Sequence, residues 1–190
     1  MKKILGLTVA VLLSIGMVGI GTWAYFSDVE TSTGNVLTAG TLDLKTNDVD
    51  GVSQTLLAIN MEPGDTIGPE IIILKNAGST VGSTLDLVFA YVENDDTSNP
   101  VNKSADDTAA MIEVTTLKYD GSSLLASVMD NNTNGYRDIQ DLKNTDLSSQ
   151  SGISASASKE FEIAIKARDS IGGDYQADGI TVTMTFTLNQ

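Results

Sequence analysis

From residue 41 onward the chain alternates between apolar and polar positions with a period of two, the signature of half-buried strands. Lys159 to Ala167 carries the pattern cleanly. Phe161, Ile163 and Ile165 fall on one face and Glu160, Glu162 and Lys166 on the other. In Ile180 to Leu188, Ile180, Val182, Met184, Phe186 and Leu188 alternate with Thr181, Thr183, Thr185 and Thr187. Thr41 to Leu44, Val52 to Ile59, Thr84 to Val92 and Met111 to Leu117 read as further strands. Glu70 to Leu74 is a continuous, β-branched run suited to a central strand. Turn-forming clusters, Glu62-Pro63-Gly64-Asp65 and Asn76-Ala77-Gly78-Ser79 among them, separate these segments.

The remaining stretches are polar. Glu93 to Ser104 reads as a loop, and Ala105 to Ala110 as a short helix. Ser123 to Met129 fits either a strand or a helix. Asp130 to Ser151 reads as loop with one helical turn. The pattern predicts about eight strands, no long amphipathic helix and no internal repeat. The expected fold class is all-β: a two-sheet, jelly-roll-like sandwich with short helical insertions and an extended N-terminal arm.

The first 40 residues break the period. Met1-Lys2-Lys3 is a short positive start, and Ile4 to Phe26 carries no charge. Thr22 and Ala24 put small residues at the −3 and −1 positions for cleavage after Ala24. The competing reading is a retained membrane span, for which about 20 apolar residues suffice. Residues 26–40 are polar and rich in Ser and Thr, an extended arm. The expected organisation is a signal peptide over 1–25, the arm over 26–40 and one β-sandwich domain over 41–190. The protein is thus expected to be secreted, either extracellular or at the cell surface.

Composition sharpens this. The chain holds 25 acidic against 11 basic residues, a formal charge of −14. Lys2 and Lys3 lie in the signal segment, so the remainder is more acidic still. Nucleic acid is not expected as a partner, because binding it requires basic patches that neutralise phosphates. There is no cysteine and no histidine. Disulfides, His-ligated zinc and Ser-His-Asp chemistry are therefore absent.

One motif carries candidate chemistry. Asp130-Asn131-Asn132-Thr133-Asn134-Gly135 opens a stretch that runs to Asp141 and matches the spacing of a calcium loop. Ca²⁺ takes six to eight hard oxygens around a tight turn. Asp130, Asn132 and Asn134 would offer side-chain oxygens, and Tyr136 its backbone carbonyl. Asp138 would bind directly or through water, and Asp141 would close the site. Gly135 permits the turn. Asp141 stands where Glu is usual, and Arg137 where an apolar residue is usual. The alternative is a solvated Asn/Asp/Gly turn. The acidic groups Asn94-Asp95-Asp96 and Asp106-Asp107, with Asp48 and Asp50, read as solvated charge.

Gly21-Thr22-Trp23-Ala24-Tyr25-Phe26-Ser27-Asp28, followed by Ala39-Gly40-Thr41-Leu42-Asp43-Leu44, resembles the start of the TasA/camelysin family of exported proteins. Pro63-Gly64-Asp65 with Lys75-Asn76-Ala77-Gly78-Ser79 is similar to a later stretch of that family. So is the closing segment, from Asp174-Tyr175-Gln176-Ala177-Asp178 to Phe186-Thr187-Leu188-Asn189-Gln190. The resemblance covers nearly the whole chain. It implies a jelly-roll subunit that polymerises into extracellular fibres, with the freed N-terminal arm of one copy completing the sheet of the next. The donor strand would lie within Phe26 to Ala39, whose apolar anchors are Phe26, Val29, Val36 and Leu37. The family pattern puts cleavage after Tyr25.

The partners so implied are further copies of this chain, a dedicated signal peptidase and accessory matrix proteins. The camelysin branch carries a metallopeptidase label. Without histidine or cysteine a catalytic zinc here would have only carboxylates, so the chain is read as a structural subunit rather than an enzyme. A camelysin-like peptidase and a monomeric, calcium-stabilised surface binding module are the alternatives.

Overall fold

A computed structural model describes residues 40–51, 53–94, 103–175 and 178–190. The signal segment, the arm up to Ala39 and the pair Asp95-Asp96 lie outside the described residues. Among the described residues no helix is long and apolar enough to cross a membrane.

Among the described residues ten strands form two antiparallel sheets: β1 Leu44–Thr46, β2 Val49–Asp50, β3 Ser53–Ala58, β4 Thr66–Asn76, β5 Thr84–Glu93, β6 Ile112–Tyr119, β7 Ser122–Ser123, β8 Leu147–Ser151, β9 Ser158–Ala167 and β10 Ile180–Asn189. The four-stranded sheet runs β3-β10-β5-β8 and the six-stranded sheet runs β2-β1-β4-β9-β6-β7. From β3 onward the chain changes sheet at almost every connection, only the β6–β7 hairpin staying within one. The two four-strand sets β3-β10-β5-β8 and β4-β9-β6-β7 are those of a jelly roll. The β1–β2 hairpin is an addition that extends the second set beyond β4.

The alternating faces meet between the sheets. Phe161, Ile163 and Ile165 of β9 are fully buried, as are Ile180, Val182 and Phe186 of β10. Phe161 sits at the centre, with ring centroids 5.3 Å from Phe186 and 6.2 Å from Phe89. Edge-to-face and tilted ring pairs of this kind add to the burial itself.

Several boundaries differ from expectation for nonlocal reasons. Thr41 to Asp43 precede the ladder and are tied to the 77–80 turn by single bonds, such as Ala77 N to Asp43 O at 2.7 Å. β4 reaches back to Thr66, past Pro69, because a bulge between Ile67 and Glu70 absorbs the missing proline N–H. Gly68 enters that bulge at φ +93°, and a Cβ there would stand 2.6 Å from the Ile163 carbonyl oxygen. β8 has no alternation, since only Leu147 is buried, yet it pairs with β5. Ser122–Ser123 makes a two-residue strand, and Leu125–Ser127 a 3₁₀ turn, where the sequence allowed either strand or helix.

Among the described residues there are two short α-helices. Helix α1, Ala105–Ala110, is capped by Ser104, whose hydroxyl accepts from the Asp107 N–H. Helix α2, Ile139–Lys143, is the helical turn expected between residues 130 and 151.

Candidate functional site

The Asp130–Asp141 segment follows the 3₁₀ turn and runs into the first turn of α2. Its first half is wound by side-chain oxygens that take backbone N–H groups. The Asp130 carboxylate accepts from Asn134 N at 3.0 Å and from Gly135 N at 2.8 Å. Asn132 Oδ1 accepts from Asn134 N at 3.2 Å, and Asn134 Oδ1 from Tyr136 N at 3.0 Å. These are local Asx turns, the reason Asn and Asp dominate such loops. Gly135 adopts φ +87°, with nothing near its missing Cβ.

The second half is anchored to the core. Asp138 is the N-cap of α2 and has no exposed surface. Its Oδ1 accepts from Asp141 N at 3.0 Å, while Asp141 Oδ2 accepts from Asp138 N at 3.3 Å, a reciprocal capping box. The other Asp141 oxygen accepts from Asn131 N at 2.8 Å, tying the start of the loop to the helix. Burial raises the Asp141 carboxyl above its ordinary 3.8, against the opposing pull of the Asn131 and Asp138 N–H groups. A single bridge from Glu113 to Asp138, with Val114 N on Arg137 O at 2.8 Å, fastens the loop to β6.

Asp138 Oδ2 is the focus of the network. It accepts from Asn134 Nδ2 at 2.7 Å, from Asn132 Nδ2 at 3.1 Å and from Arg168 Nη2 at 2.9 Å. Arg168 follows the last residue of β9. The same nitrogen also donates to Asn134 Oδ1 at 2.9 Å, and the guanidinium lies 3.9 Å from the Tyr136 ring centroid. The side chains of this ion pair are 7% and 0% exposed. The chain's other arginine, Arg137, lies beside this network, its Nε donating to Val128 O at 2.9 Å. One guanidinium nitrogen of Arg168 thus serves both acceptors, while Arg168 Nε is buried with no hydrogen-bond partner among the described residues.

Five of the six residues read as calcium ligands, Asp130, Asn132, Asn134, Asp138 and Asp141, are thus drawn into one hydrogen-bonded unit. Tyr136 lies at its rim, its ring half-exposed against Arg168. The amide nitrogens of Asn132 and Asn134, rather than their oxygens, face Asp138. Among the described residues no group of three or more Asp or Glu side chains stands close enough to hold a metal ion. Arg168 was invisible to loop-spacing arguments because it enters from 30 residues away. Its one sequence signal is that it is an arginine in a chain whose cations are otherwise mostly lysine.

Beside the loop lies a groove of about 450 Å³, lined by Glu113, Val114, Leu125, Met129, Tyr136 and Arg137 among others. A second cleft, of about 370 Å³, runs between the outer edge of β3 and β4, where Leu56, Ile67, Ile72 and Met184 line it.

Comparison with known proteins gives a family match over the whole chain: the camelysin metallo-endopeptidase family model covers residues 1–190. No curated protein matches.

Proposed function

The chain belongs to the TasA/camelysin family, and on that premise we propose that it is a secreted structural subunit of extracellular surface or biofilm-matrix filaments, joined copy to copy through its N-terminal arm. Family membership supports export or surface association in general terms. The observation that carries the finer reading is the edge at β3. The strands β2 and β7 at the edges of the six-stranded sheet have two residues each. β8, at one edge of the other sheet, is kinked by a register shift against β5 and by Ser149 at φ +59°. β3 is a regular six-residue edge strand paired on one side with β10. Short and irregular edges resist strand addition, whereas a regular one invites it. The cleft beside β3, where Leu56, Ile67, Ile72 and Met184 alternate with polar groups such as Gln54 and Glu70, gives an incoming strand a place for alternate side chains, and Phe26, Val29, Val36 and Leu37 are the candidates to fill it.

The test is electron microscopy of the secreted, processed protein beside a form lacking residues 26–39. Filaments from the first and monomers from the second are expected. Filaments of unchanged length without the arm would refute its role.

The family name also implies a catalytic metal. The donor set does not fit a His-ligated zinc, since the chain has no histidine or cysteine and the described carboxylates form no three-membered cluster. Cleavage of casein by the pure protein, abolished by a chelator, would reinstate the peptidase reading.

Calcium at Asp130–Asp141 stands as a second proposal, supported by the ligand spacing and by the convergence of five of the six residues. It requires the Asn132 and Asn134 amides to turn their oxygens inward and Arg168 to release Asp138. Titration calorimetry with Ca²⁺ on the wild type and on Asp130→Ala decides it: no heat from either removes the site.

A further inference from the structure

The two sheets differ in what they show to solvent. On the six-stranded sheet the outward positions of β9 and β6 carry charge, Glu160, Glu162 and Lys166 on β9 and Glu113 and Lys118 on β6, with Lys118 and Glu162 paired at 3.1 Å, while β4 beside them presents Ile71 and Ile73. On the four-stranded sheet the outward positions of β3, β10 and β5 form three rows without a single charge. Thr181 lies between Leu57 and Val92, Thr183 between Thr55 and Ala90, and Thr185 between Ser53 and Val88. Leu57, Val88 and Val92 are 51%, 59% and 63% exposed, high values for large apolar side chains. The carboxylate at the end of this face, Asp86, is engaged by Ser149 N at 2.7 Å and Asn189 Nδ2 at 2.8 Å.

We propose that this uncharged face is a lateral contact between copies of the chain. The partner is argued from charge. Copies of a protein with formal charge −14 repel one another. The three rows of this face bring no carboxylate to such a meeting, whereas the outer face of the six-stranded sheet brings Glu113, Glu160 and Glu162. Its rows of uncharged, mostly β-branched side chains can also meet the same rows of a second copy, as in an isologous pair.

The area sets the strength. Three strands about 4.8 Å apart and three rows about 6.8 Å apart cover roughly 300 Å². A stable interface takes about 800 Å² from each partner. One such contact is therefore too weak to hold two isolated subunits together. Repeated along two filaments it adds up by multivalency, so its role as a bundling contact rests on the filament reading above. Since the face is neutral and the rest of the molecule is acidic, added salt should strengthen the contact by screening the repulsion.

The experiment compares the processed wild type with Val88→Glu/Val92→Glu on this face and with Val49→Glu/Val81→Glu as a charge-matched control. Val49 and Val81 are 66% and 57% exposed and lie off this face. By electron microscopy, wild-type and control filaments are expected to lie side by side, more so in high salt, and the face variant to give single filaments of the same length. Bundles in the face variant, or their equal loss in the control, overturn the proposal. If none of the proteins forms filaments, the filament reading fails and light scattering of concentrated subunits decides the face. Weak attraction that the face variant loses and the control keeps supports it. Equal second virial coefficients in all three overturn it.

Discussion

Replacing Arg168 by Met tests whether the loop depends on an internal cation. The substitution keeps an apolar stem and removes the guanidinium that faces Asp138. Both partners of this pair are almost fully enclosed. Removing one member of a buried pair costs about 3–5 kcal/mol, because the remaining charge is left without compensation. Here Asn132, Asn134 and the Asp141 N–H still donate to Asp138, which argues for the lower end, about 3 kcal/mol. For a domain of this size that lowers Tm by roughly 6–12 °C. The only tryptophan, Trp23, falls in the segment expected to be cleaved. Unfolding is therefore best followed by circular dichroism, in chelator and in excess Ca²⁺. Asp138→Asn added to Arg168→Met should recover much of the loss, since no charge is then stranded. Ca²⁺ should stabilise Arg168→Met more than the wild type if the loop is a calcium site, as the ion no longer competes with a guanidinium. Wild-type stability of Arg168→Met in chelator would show that Asp138 needs no cation, and the reasoning would fail.

Three further outcomes follow from the packing. Phe161→Ala, at the centre of the sandwich, should lose about 3–5 kcal/mol in denaturant titration; a loss below 1 kcal/mol would mean that the core closes over the gap. Thr108 is 3% exposed and its Oγ1 has no hydrogen-bond partner, so Thr108→Val should be neutral or slightly stabilising, and a clear loss of Tm would contradict this. Tyr119 donates its hydroxyl to Ser151 O at 2.8 Å, and burial holds its ionisation above the ordinary 10.0. The folded state therefore favours the neutral phenol. That contribution is whole below about pH 10 and is lost as pH rises through the folded value. Tyr119→Phe should lose about 1 kcal/mol at neutral pH and decline less steeply than the wild type above pH 10; parallel curves would refute the assignment.

Where burial on one face leaves a period-two trace, the sequence was enough. It located β9 and β10 within a residue or two and named their inward faces, because alternation records directly which side chains leave water. Helix α1 was legible to the residue, since Ser104 and the acids behind it are local capping chemistry. The jelly-roll class followed from the count and spacing of such segments, and the loop from the run of Asn, Asp and Gly that winds its own turns. What the chain pattern did not hold are the features that need a partner far along the chain. β8 is polar and is a strand only because β5 offers it an edge. β4 extends past Pro69 because a bulge against β9 accommodates it. Arg168 closes the loop only because β9 ends beside Asp138. The Thr and Val positions of β3, β5 and β10 look like ordinary solvent-facing residues one strand at a time. Sheet order alone sets them side by side as one uncharged face, since pairing is decided between strands and alternation only within them.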